Sequence, residues 1–478
     1  MTNIRELDQY LYLSAELITA NIRNGQTTAE MVVRSALERA KLLQQSCNCF
    51  CLILEDEAIA AARYADKVQA EGGWLGPLHG VPVAIKDLTP TKGHLLTNGS
   101  WTSGEQTAQA NAVIAQRLLD AGAILIGKTL TPEFAYSSFT HSPRWGVTIN
   151  PWDRSRTSGG SSGGSAVAVA GGSVPFAEGS DMGGSVRIPA SFCGVVGLKP
   201  SLGRIPMTIL PSQFDDISHF GPLAQTVGDA ILFMEAVCGP HDDDISSLPI
   251  AFDAKAARNV SLSGRRFALC MDLGYYQIDP EVERAVRRAA AVLERQGAIV
   301  EEVALPWTRA INDGWYDLWC VFMDAYFGQH LETFRKHMDP AVVGLIERGR
   351  TLAATDVKKV EILRTKMWRD LSALFARGFN ALLSPTCAVP APLASENDDD
   401  YVATLPDGRF KGLDMTCPFN MLSPCPALSL PVGETDAGLP VGLQIVGRRH
   451  ADEEVLGMGL ALEQALPQAG VPRLWPRL

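Results

Sequence analysis

The chain has 478 residues, of which 46% are apolar and 20% charged, the composition of a globular protein with room for one large α/β domain or two to three smaller ones. Its net charge of −11 argues against a nucleic-acid or acidic-membrane surface, because such surfaces need clustered Lys and Arg. Residues 1–8 lack the pattern of a signal peptide, no apolar run is long enough to cross a bilayer, and the ten cysteines show no repeated spacing, so we expect a cytoplasmic protein with reduced thiols.

Helical and strand patterns alternate along the chain, which favours an α/β fold with a sheet covered by helices on both faces. In chain order the patterns predict helices within 14–45, a strand at 47–54, a helix at 55–70, a buried strand at 78–87, a helix at 111–121, a strand at 123–127, a helix at 227–237, a strand at 265–273, a helix at 280–296, mostly helix over 307–379, strands at 428–431 and 441–446, and a helix at 452–465.

Three cysteines, Cys47, Cys49 and Cys51, alternate along the first predicted strand and would share one of its faces. A metal cluster is one interpretation, but small buried side chains on the core face are the interpretation we prefer. Neither Cys-x-x-Cys nor His-Glu-x-x-His occurs, and the eight histidines are dispersed. We therefore predict no metal and no other cofactor.

Four aromatic residues recur at helical spacing in the segment 307–379, namely Trp315, Trp319, Phe322 and Tyr326. An ordinary stripe of core residues has this spacing, and so does an apolar wall that lines a substrate pocket. The polar segment 395–409 is expected to be a surface loop or a lid.

Residues 159–200 form the most unusual stretch, in which two clusters of glycine and serine flank an apolar segment at 166–177. Glycine lets the backbone turn and approach a ligand closely, and serine supplies a hydroxyl that can attack or relay a proton. A flexible linker also has a high Gly/Ser content. The apolar segment between the clusters favours buried backbone, and therefore a site, over a linker.

Six blocks of the sequence are distinctive in this order and spacing. They are Gly80-Val-Pro-Val-Ala-Ile-Lys86-Asp87, Gly159-Gly-Ser-Ser-Gly-Gly-Ser165, Asp181-Met-Gly-Gly-Ser185-Val-Arg187, Gly197-Leu-Lys-Pro200, Gly221-Pro-Leu-Ala-Gln-Thr-Val-Gly-Asp229 and Pro440-Val-Gly-Leu-Gln-Ile-Val-Gly447. Together they resemble the amidase signature family. The resemblance implies an α/β/α sandwich around a large mixed β-sheet in a single domain over 1–478, with N-terminal helices in 1–60, a catalytic core in 75–240, and a variable helical and loop segment in 307–412 that shapes the substrate pocket.

The resemblance implies a Ser–cis-Ser–Lys triad for this chain. Ser185 is then the nucleophile, Ser161 is the bridging serine with a cis peptide bond to Gly160, and Lys86 is the general base and acid. A serine that attacks the substrate carbonyl by this route forms an acyl-enzyme, which water then hydrolyses. The backbone N–H groups that would form the oxyanion hole belong to Met182, Gly183, Gly184 and Ser185.

Considered without the resemblance, Lys86 has two interpretations. A lysine acts as a base only when it is neutral, and burial favours the neutral amine by lowering its pKa. Lys86 ends an apolar strand, so its burial is expected. A structural salt bridge with Asp87 or Asp181 is the alternative.

Further residues around the triad receive supporting roles. Asp181 and Arg187 are expected to brace the nucleophile loop through hydrogen bonds, and Ser162 to contact the site. Two residues depart from the family pattern: Ser180, where threonine is common, and Met182, where threonine, isoleucine or a similar residue is common and where the change is expected to affect the pocket floor and hence the shape of the substrate. Neither change affects the triad.

The substrate implied by the resemblance is a small-molecule amide, and the aromatic content favours an apolar acyl, aryl or linear oligomeric amide. A carbamate (urethane) is also within reach, because the same tetrahedral chemistry serves it. The expected pocket residues are Tyr136, Trp315, Trp319 and Phe322. We expect no nucleic-acid or membrane partner, and the sequence leaves a homodimer open.

Two other functions remain open. Gly160-Ser-Ser-Gly-Gly164 matches the nucleophile elbow of α/β-hydrolases with Ser162 as nucleophile, for which His450, in a charged segment, is the one tempting catalytic histidine. The amidase signature family also includes the amidase subunit of a tRNA-dependent amidotransferase complex. The acidic charge and the aromatic helical segment argue against that role.

Overall fold

The computed structural model describes residues 8–470, 475 and 476. The prediction about a signal peptide rests mainly on residues 1–7, which lie outside the described residues. Both ends of the predicted single domain, 1–478, also lie outside them. In the described part, no helix combines the length and the apolar character needed to cross a bilayer.

Eleven strands of the described chain form one mixed sheet, which confirms the predicted α/β fold with a large mixed β-sheet. The strands are β1 (Phe50–Ile53), β2 (Pro82–Lys86), β3 (Ile124–Thr129), β4 (Phe176–Asp181), β5 (Val196–Lys199), β6 (His219–Ala224), β7 (Arg266–Leu269), β8 (Ile299–Glu302), β9 (Ala381–Pro385), β10 (Ala427–Glu434) and β11 (Pro440–Gly447). Their order across the sheet is β1-β3-β2-β4-β6-β5-β10-β11-β9-β7-β8. Strand β2 lies between β3 and β4 and is parallel to both.

The α-helices of the described residues are α1 (Ala15–Arg23), α2 (Ala29–Cys47), α3 (Glu55–Ala70), α4 (Val113–Asp120), α5 (Gly163–Ala170), α6 (Arg187–Cys193), α7 (Val227–Val237), α8 (Ala254–Arg258), α9 (Pro280–Arg295), α10 (Ala310–Phe327), α11 (Leu331–Phe334), α12 (Pro340–Gly349), α13 (Ala354–Ala376), α14 (Pro418–Met421) and α15 (Asp452–Ala465). The predicted helices at 55–70, 227–237 and 452–465 are confirmed at both ends. The segment 307–379 is mostly helical, as predicted.

Both faces of the sheet are covered by a hydrophobic core. This follows because successive residues of a strand, whose side chains point to opposite faces of the sheet, belong to different cores. Phe267 and Leu269 of β7 belong to the core that includes helices α2, α7 and α15, whereas Ala268 between them belongs to the core that includes α10 and α13. The two cores give the sandwich expected from the alternating pattern.

The predicted strand at 47–54 is wrong in its first half. Cys47 is the last residue of α2, and Asn48 then adopts a left-handed conformation with φ of 54°, so that the strand begins only at Phe50. The side-chain amide of Asn48 donates to the carbonyl of Trp145 at 2.8 Å, which holds this turn. The three cysteines therefore do not share one face of a strand, although Cys47 is buried as expected.

The polar segment 395–409 is mainly a surface loop, as predicted. It holds a short 3-10 helix, Asp398–Tyr401, and a strand, Ala403–Thr404, that pairs with Phe410–Lys411. Asp398 fastens this loop to the body of the protein, because its carboxylate accepts from the hydroxyl of Ser137 at 2.5 Å and the backbone N–H of Ser138 at 3.1 Å.

Candidate active site

Lys86 is the last residue of β2, and its side chain is fully buried. The amine Nζ contacts three serine hydroxyls: Ser161 Oγ at 2.7 Å, Ser162 Oγ at 2.9 Å and Ser180 Oγ at 3.0 Å. Ser161 and Ser162 precede helix α5, and Ser180 lies on β4, the parallel neighbour of β2. The fold thus gathers both glycine–serine clusters around one amine.

The electrostatic environment of Lys86 favours a neutral amine. Burial lowers its pKa to about 7, although the negative charges of Glu178 and Asp181 oppose this shift. Among the described residues Lys86 forms no ion pair, since Asp181 pairs with Arg187 and the carboxylate of Asp87 accepts from Thr97 instead. The salt-bridge interpretation of Lys86 is therefore wrong.

The peptide bond between Gly160 and Ser161 is cis, as the resemblance implies. No side chain fits at Gly160, because a Cβ atom there would lie 2.5 Å from the carbonyl oxygen of Ser137. Ser161 itself is completely buried and presents its hydroxyl to Lys86.

Ser185 lies in the loop between β4 and α6 and is half-buried, in contrast to the fully buried Ser161 and Ser162. Its carbonyl accepts from the backbone N–H of Ser162 at 3.1 Å, which joins the two serine clusters. Its hydroxyl donates to no described residue, and in particular no hydrogen bond joins it to Ser161. The predicted proton path has two contacts, from Ser185 to Ser161 and from Ser161 to Lys86. The contact between Ser161 and Lys86 is present, whereas the one between Ser185 and Ser161 is not formed, as is common for catalytic contacts without substrate.

Four consecutive backbone N–H groups in the loop that ends at Ser185 have no partner in the described chain; they are those of Met182, Gly183, Gly184 and Ser185. The next N–H group, that of Val186, donates to Asp181 Oδ2 at 3.3 Å. A run of free donors beside a half-buried hydroxyl is able to bind an anionic oxygen.

Asp181 and Arg187 form a bidentate ion pair in which both side chains have 0% exposure. Arg187 donates from Nε to Asp181 Oδ2 at 2.9 Å and from Nη2 to Oδ1 at 2.8 Å. The remaining guanidinium contacts reach distant parts of the chain: the Thr416 carbonyl at 2.9 Å, Gln444 Oε1 at 2.7 Å and Asn420 Oδ1 at 2.6 Å. Burial alone would raise the pKa of Asp181, but Arg187 and Asn420 hold it well below its usual range.

The predicted pocket residues lie in one apolar cluster with Met182, and they are Tyr136, Trp315, Trp319 and Phe322. Within it the ring of Trp319 stacks on that of Phe322 with centroids 4.9 Å apart, and Trp315 stacks on Trp319 at 6.2 Å. The indole N–H of Trp315 donates to the carbonyl of Met182 at 3.0 Å, so the cluster contacts the nucleophile loop directly.

The nucleophile-elbow interpretation gains no support from the geometry. The Ser162 hydroxyl is fully buried, and it lies between Lys86 Nζ and the Ser180 carbonyl, to which it donates at 3.3 Å. His450 is exposed, and no hydrogen bond of the described chain joins it to Ser162.

Comparison with known proteins agrees with this site. The model of the family described as Amidase matches residues 31–456. The chain belongs to the amidase signature family. The acylamidase of Rhodococcus erythropolis is 34% identical over 96% of this chain and 96% of its own length.

Two further members of the family show its range. A glutamyl-tRNA(Gln) amidotransferase subunit of Chloroflexus aggregans is 34% identical over 95% of this chain and 96% of its own length. The crystal structure of a bacterial aryl acylamidase of the amidase signature enzymes matches with a TM-score of 0.90 and 27% identity, and covers 97% of this chain and 98% of the other. The chain is thus similar to enzymes that hydrolyse amides.

Several residues of this amidase signature site escaped the sequence reasoning. Glu178 is fully buried behind Lys86, where it accepts from the Lys86 backbone N–H at 2.9 Å and from the Thr89 hydroxyl at 2.9 Å. A carboxylate directly after the apolar residues Phe176 and Ala177 of β4 was a usable signal, because buried charges need partners. Thr416 and Asn420 gave no such signal, since they are more than 220 positions away from the loop that they contact.

Proposed function

We propose that the chain is a serine hydrolase that cleaves amides through an acyl-enzyme on Ser185, with Ser161 and Lys86 as the proton path. The observation that carries the proposal is the fully buried Lys86 amine, which has three serine hydroxyls and no carboxylate as neighbours, beside a half-buried serine with free N–H groups. This set of groups provides a base, a relay, a nucleophile and an anion site.

Counting donors around the amine narrows the proton positions. A neutral Lys86 has two N–H bonds and one lone pair, but it contacts three hydroxyls. Ser162 donates its own proton to the Ser180 carbonyl, so it accepts one N–H. This leaves Ser161 and Ser180 to donate to the lone pair of Lys86, and our mechanism assigns that role to Ser161, whose hydroxyl is the nearest of the three at 2.7 Å.

The attack follows from that arrangement. The Ser185 oxygen bonds to the substrate carbonyl carbon, its proton passes to Ser161, and the Ser161 proton passes to Lys86. The N–H groups of Met182, Gly183, Gly184 and Ser185 stabilise the resulting oxyanion, and loss of one such donor typically reduces kcat about 10²- to 10³-fold. The protons return along the same path to the leaving nitrogen when the C–N bond breaks, and a water molecule repeats the cycle to release the acid.

The aromatic cluster supports an apolar acyl or aryl amide as the substrate class, and linear oligoamides fit the same wall. In this proposal the chain is a single domain in which residues 75–240 carry the catalytic core and the segment 307–412 shapes the pocket. Carbamates are included because their carbonyl undergoes the same attack. Replacement of Phe322 by alanine should reduce kcat/KM for aryl and long-chain amides more than for acetamide-sized amides.

The proposal is tested by hydrolysis of a panel of aryl amides, primary aliphatic amides, esters and carbamates. Ser185→Ala and Lys86→Ala should abolish turnover, whereas Ser162→Ala should retain it. Activity in Ser185→Ala together with its loss in Ser162→Ala would overturn the proposal and favour the nucleophile elbow.

A second candidate is the amidase component of a tRNA-dependent amidotransferase, and the similarity to glutamyl-tRNA(Gln) amidotransferase subunits over nearly the whole chain favours it. Such a protein would need partner subunits and charged tRNA. Turnover of simple amides by the isolated chain opposes this candidate; ammonia transfer to tRNA only after addition of partner subunits supports it.

A further inference from the structure

The nucleophile loop, residues 181–185, has all its carbonyl oxygens held from outside. The partners are Asn420 Nδ2 for Asp181 O at 3.1 Å, Trp315 Nε1 for Met182 O at 3.0 Å, Thr416 Oγ1 for Gly183 O at 2.6 Å, the Ile188 N–H for Gly184 O at 2.7 Å, and the Ser162 N–H for Ser185 O at 3.1 Å. In the same loop the N–H groups of residues 182–185 have no partner in the described chain.

The two facts are connected by the geometry of the peptide group. A trans peptide unit is planar, so its C=O and its N–H point in opposite directions. A bond to the carbonyl of Gly183 therefore fixes the direction of the Gly184 N–H, and a bond to the carbonyl of Met182 fixes that of the Gly183 N–H. The bound carbonyls keep the free donors on the opposite side of the loop.

Three of these five anchors are side chains from outside the catalytic core 75–240, those of Asn420, Trp315 and Thr416. Thr416 is fully buried, and its carbonyl also accepts from Arg187, so it has no surface from which to contact a substrate. It packs closely on the loop: Gly184 has φ of 136°, and a Cβ there would lie 1.9 Å from Thr416 Oγ1. Trp315 packs as closely, since a Cβ on Gly183 would lie 2.2 Å from its ring.

We propose that Thr416 and Trp315 are positioning residues that aim the N–H groups of Gly184 and Gly183 at the oxyanion. This inference rests on the proposed function, because the oxyanion forms only when Ser185 attacks the substrate carbonyl. Glycine at both positions leaves the loop free to rotate its peptide planes, and the two anchors remove that freedom.

The Thr416 hydroxyl has two acceptors within reach. Its Oγ1 lies 2.6 Å from the Gly183 carbonyl oxygen and 2.5 Å from Asp414 Oδ1, so its single proton is shared between the loop and this carboxyl group. The backbone N–H of Thr416 also donates to Asp414 Oδ1, at 3.1 Å. These contacts hold the hydroxyl in place against the Gly183 carbonyl.

The test compares Thr416→Val, which removes the hydroxyl at constant shape, with Thr416→Ser, which keeps it. We expect kcat to fall at least about tenfold in Thr416→Val with little change in KM, and to stay within about threefold of wild type in Thr416→Ser. Thr148→Val is the matched control, because Thr148 is also fully buried and also donates to a carbonyl at 2.6 Å, that of Asn48. It should leave kcat within about threefold of wild type.

Two further measurements separate positioning from damage to the fold. A trifluoromethyl ketone analogue of the best substrate, which binds as an oxyanion, should lose affinity in Thr416→Val by the same factor as kcat/KM, while binding of the product acid stays unchanged. Trp315→Phe, which keeps an aromatic ring but loses the N–H, should also lower kcat. A change in KM alone would mean that Trp315 only lines the pocket, and it would overturn the positioning role of Trp315.

Thr416→Val with wild-type kcat, or a loss that Thr416→Ser does not restore, would overturn the role of Thr416. Failure of the proposed function has a different signature, since it would appear as retained activity in Ser185→Ala whatever the Thr416 variants do. Thermal unfolding of each variant shows whether lost activity reflects lost structure.

Discussion

Two buried basic side chains, those of Arg187 and Lys86, lie next to the loop 181–185, and their surroundings are opposite in kind. Arg187, at the start of α6, has a bidentate carboxylate partner and three further acceptors. Lys86, at the end of β2, has only hydroxyl neighbours at its amine, and burial lowers its pKa to about 7.

The difference separates structure from chemistry. A fully paired buried cation stays charged and fixes the parts of the chain that it contacts, which here are β4, the Thr416–Asn420 segment and β11. An unpaired buried amine is unfavourable as a cation, and it therefore becomes a base near neutral pH. In the mechanism that we propose, burial thus gives Arg187 a structural role and makes Lys86 a proton acceptor.

The largest effect is expected from Lys86→Met. We expect kcat/KM to fall by about 10⁴-fold or more, because the base and its relay act as a unit with the nucleophile. The free energy of unfolding should be unchanged or higher, because an apolar chain of similar length replaces a desolvated amine. Kinetics and denaturant unfolding measure the two quantities; a variant that loses stability while retaining activity would reverse the assignment.

Arg187→Met should have the opposite effect on stability. Removal of the guanidinium leaves the Asp181 carboxylate buried without its partner, and we expect a loss of about 3–5 kcal/mol in the free energy of unfolding. Because Arg187 holds the pKa of Asp181 below its unfolded value, the pair contributes stability above about pH 4 and loses it as pH falls further. The difference between wild type and variant should therefore shrink in acid; a constant difference across pH would contradict the pairing.

Glu178→Gln should give a smaller change, in the pH profile. The wild-type kcat/KM should rise as pH increases through about 7, when Lys86 loses its proton. The Glu178 charge opposes the lowering of that pKa, so its removal should move the acid limb to lower pH by roughly one unit. Glu133→Gln is the matched control, because Glu133 is equally buried but contacts Ser100 and Asp339; a shift of the limb in both variants would rule out a specific effect on Lys86.

The residues that carry a local pattern were predictable from the sequence. Lys86 and the serines stand in distinctive blocks, and α3, α7 and α15 follow from periodicity alone. The contacts of the loop 181–185 with Thr416, Asn420 and Trp315 were not predictable. These residues are far from the loop in sequence, and they lie beside it only because the order of the strands makes distant parts of the chain neighbours. The error at Cys47 has a local cause, since α2 continues to Cys47 and ends only at the left-handed Asn48, so that the helix occupies the start of a segment that alternates like a strand.

The proposed mechanism depends most directly on a neutral Lys86 at neutral pH. An NMR titration of the protein labelled with ¹³C at lysine Cε measures this pKa, and the resonance of Lys86 is assigned by its disappearance in Lys86→Met. We predict a pKa of about 7. A value near the ordinary 10.4 would contradict the mechanism, because Lys86 would then be a cation whenever the enzyme works.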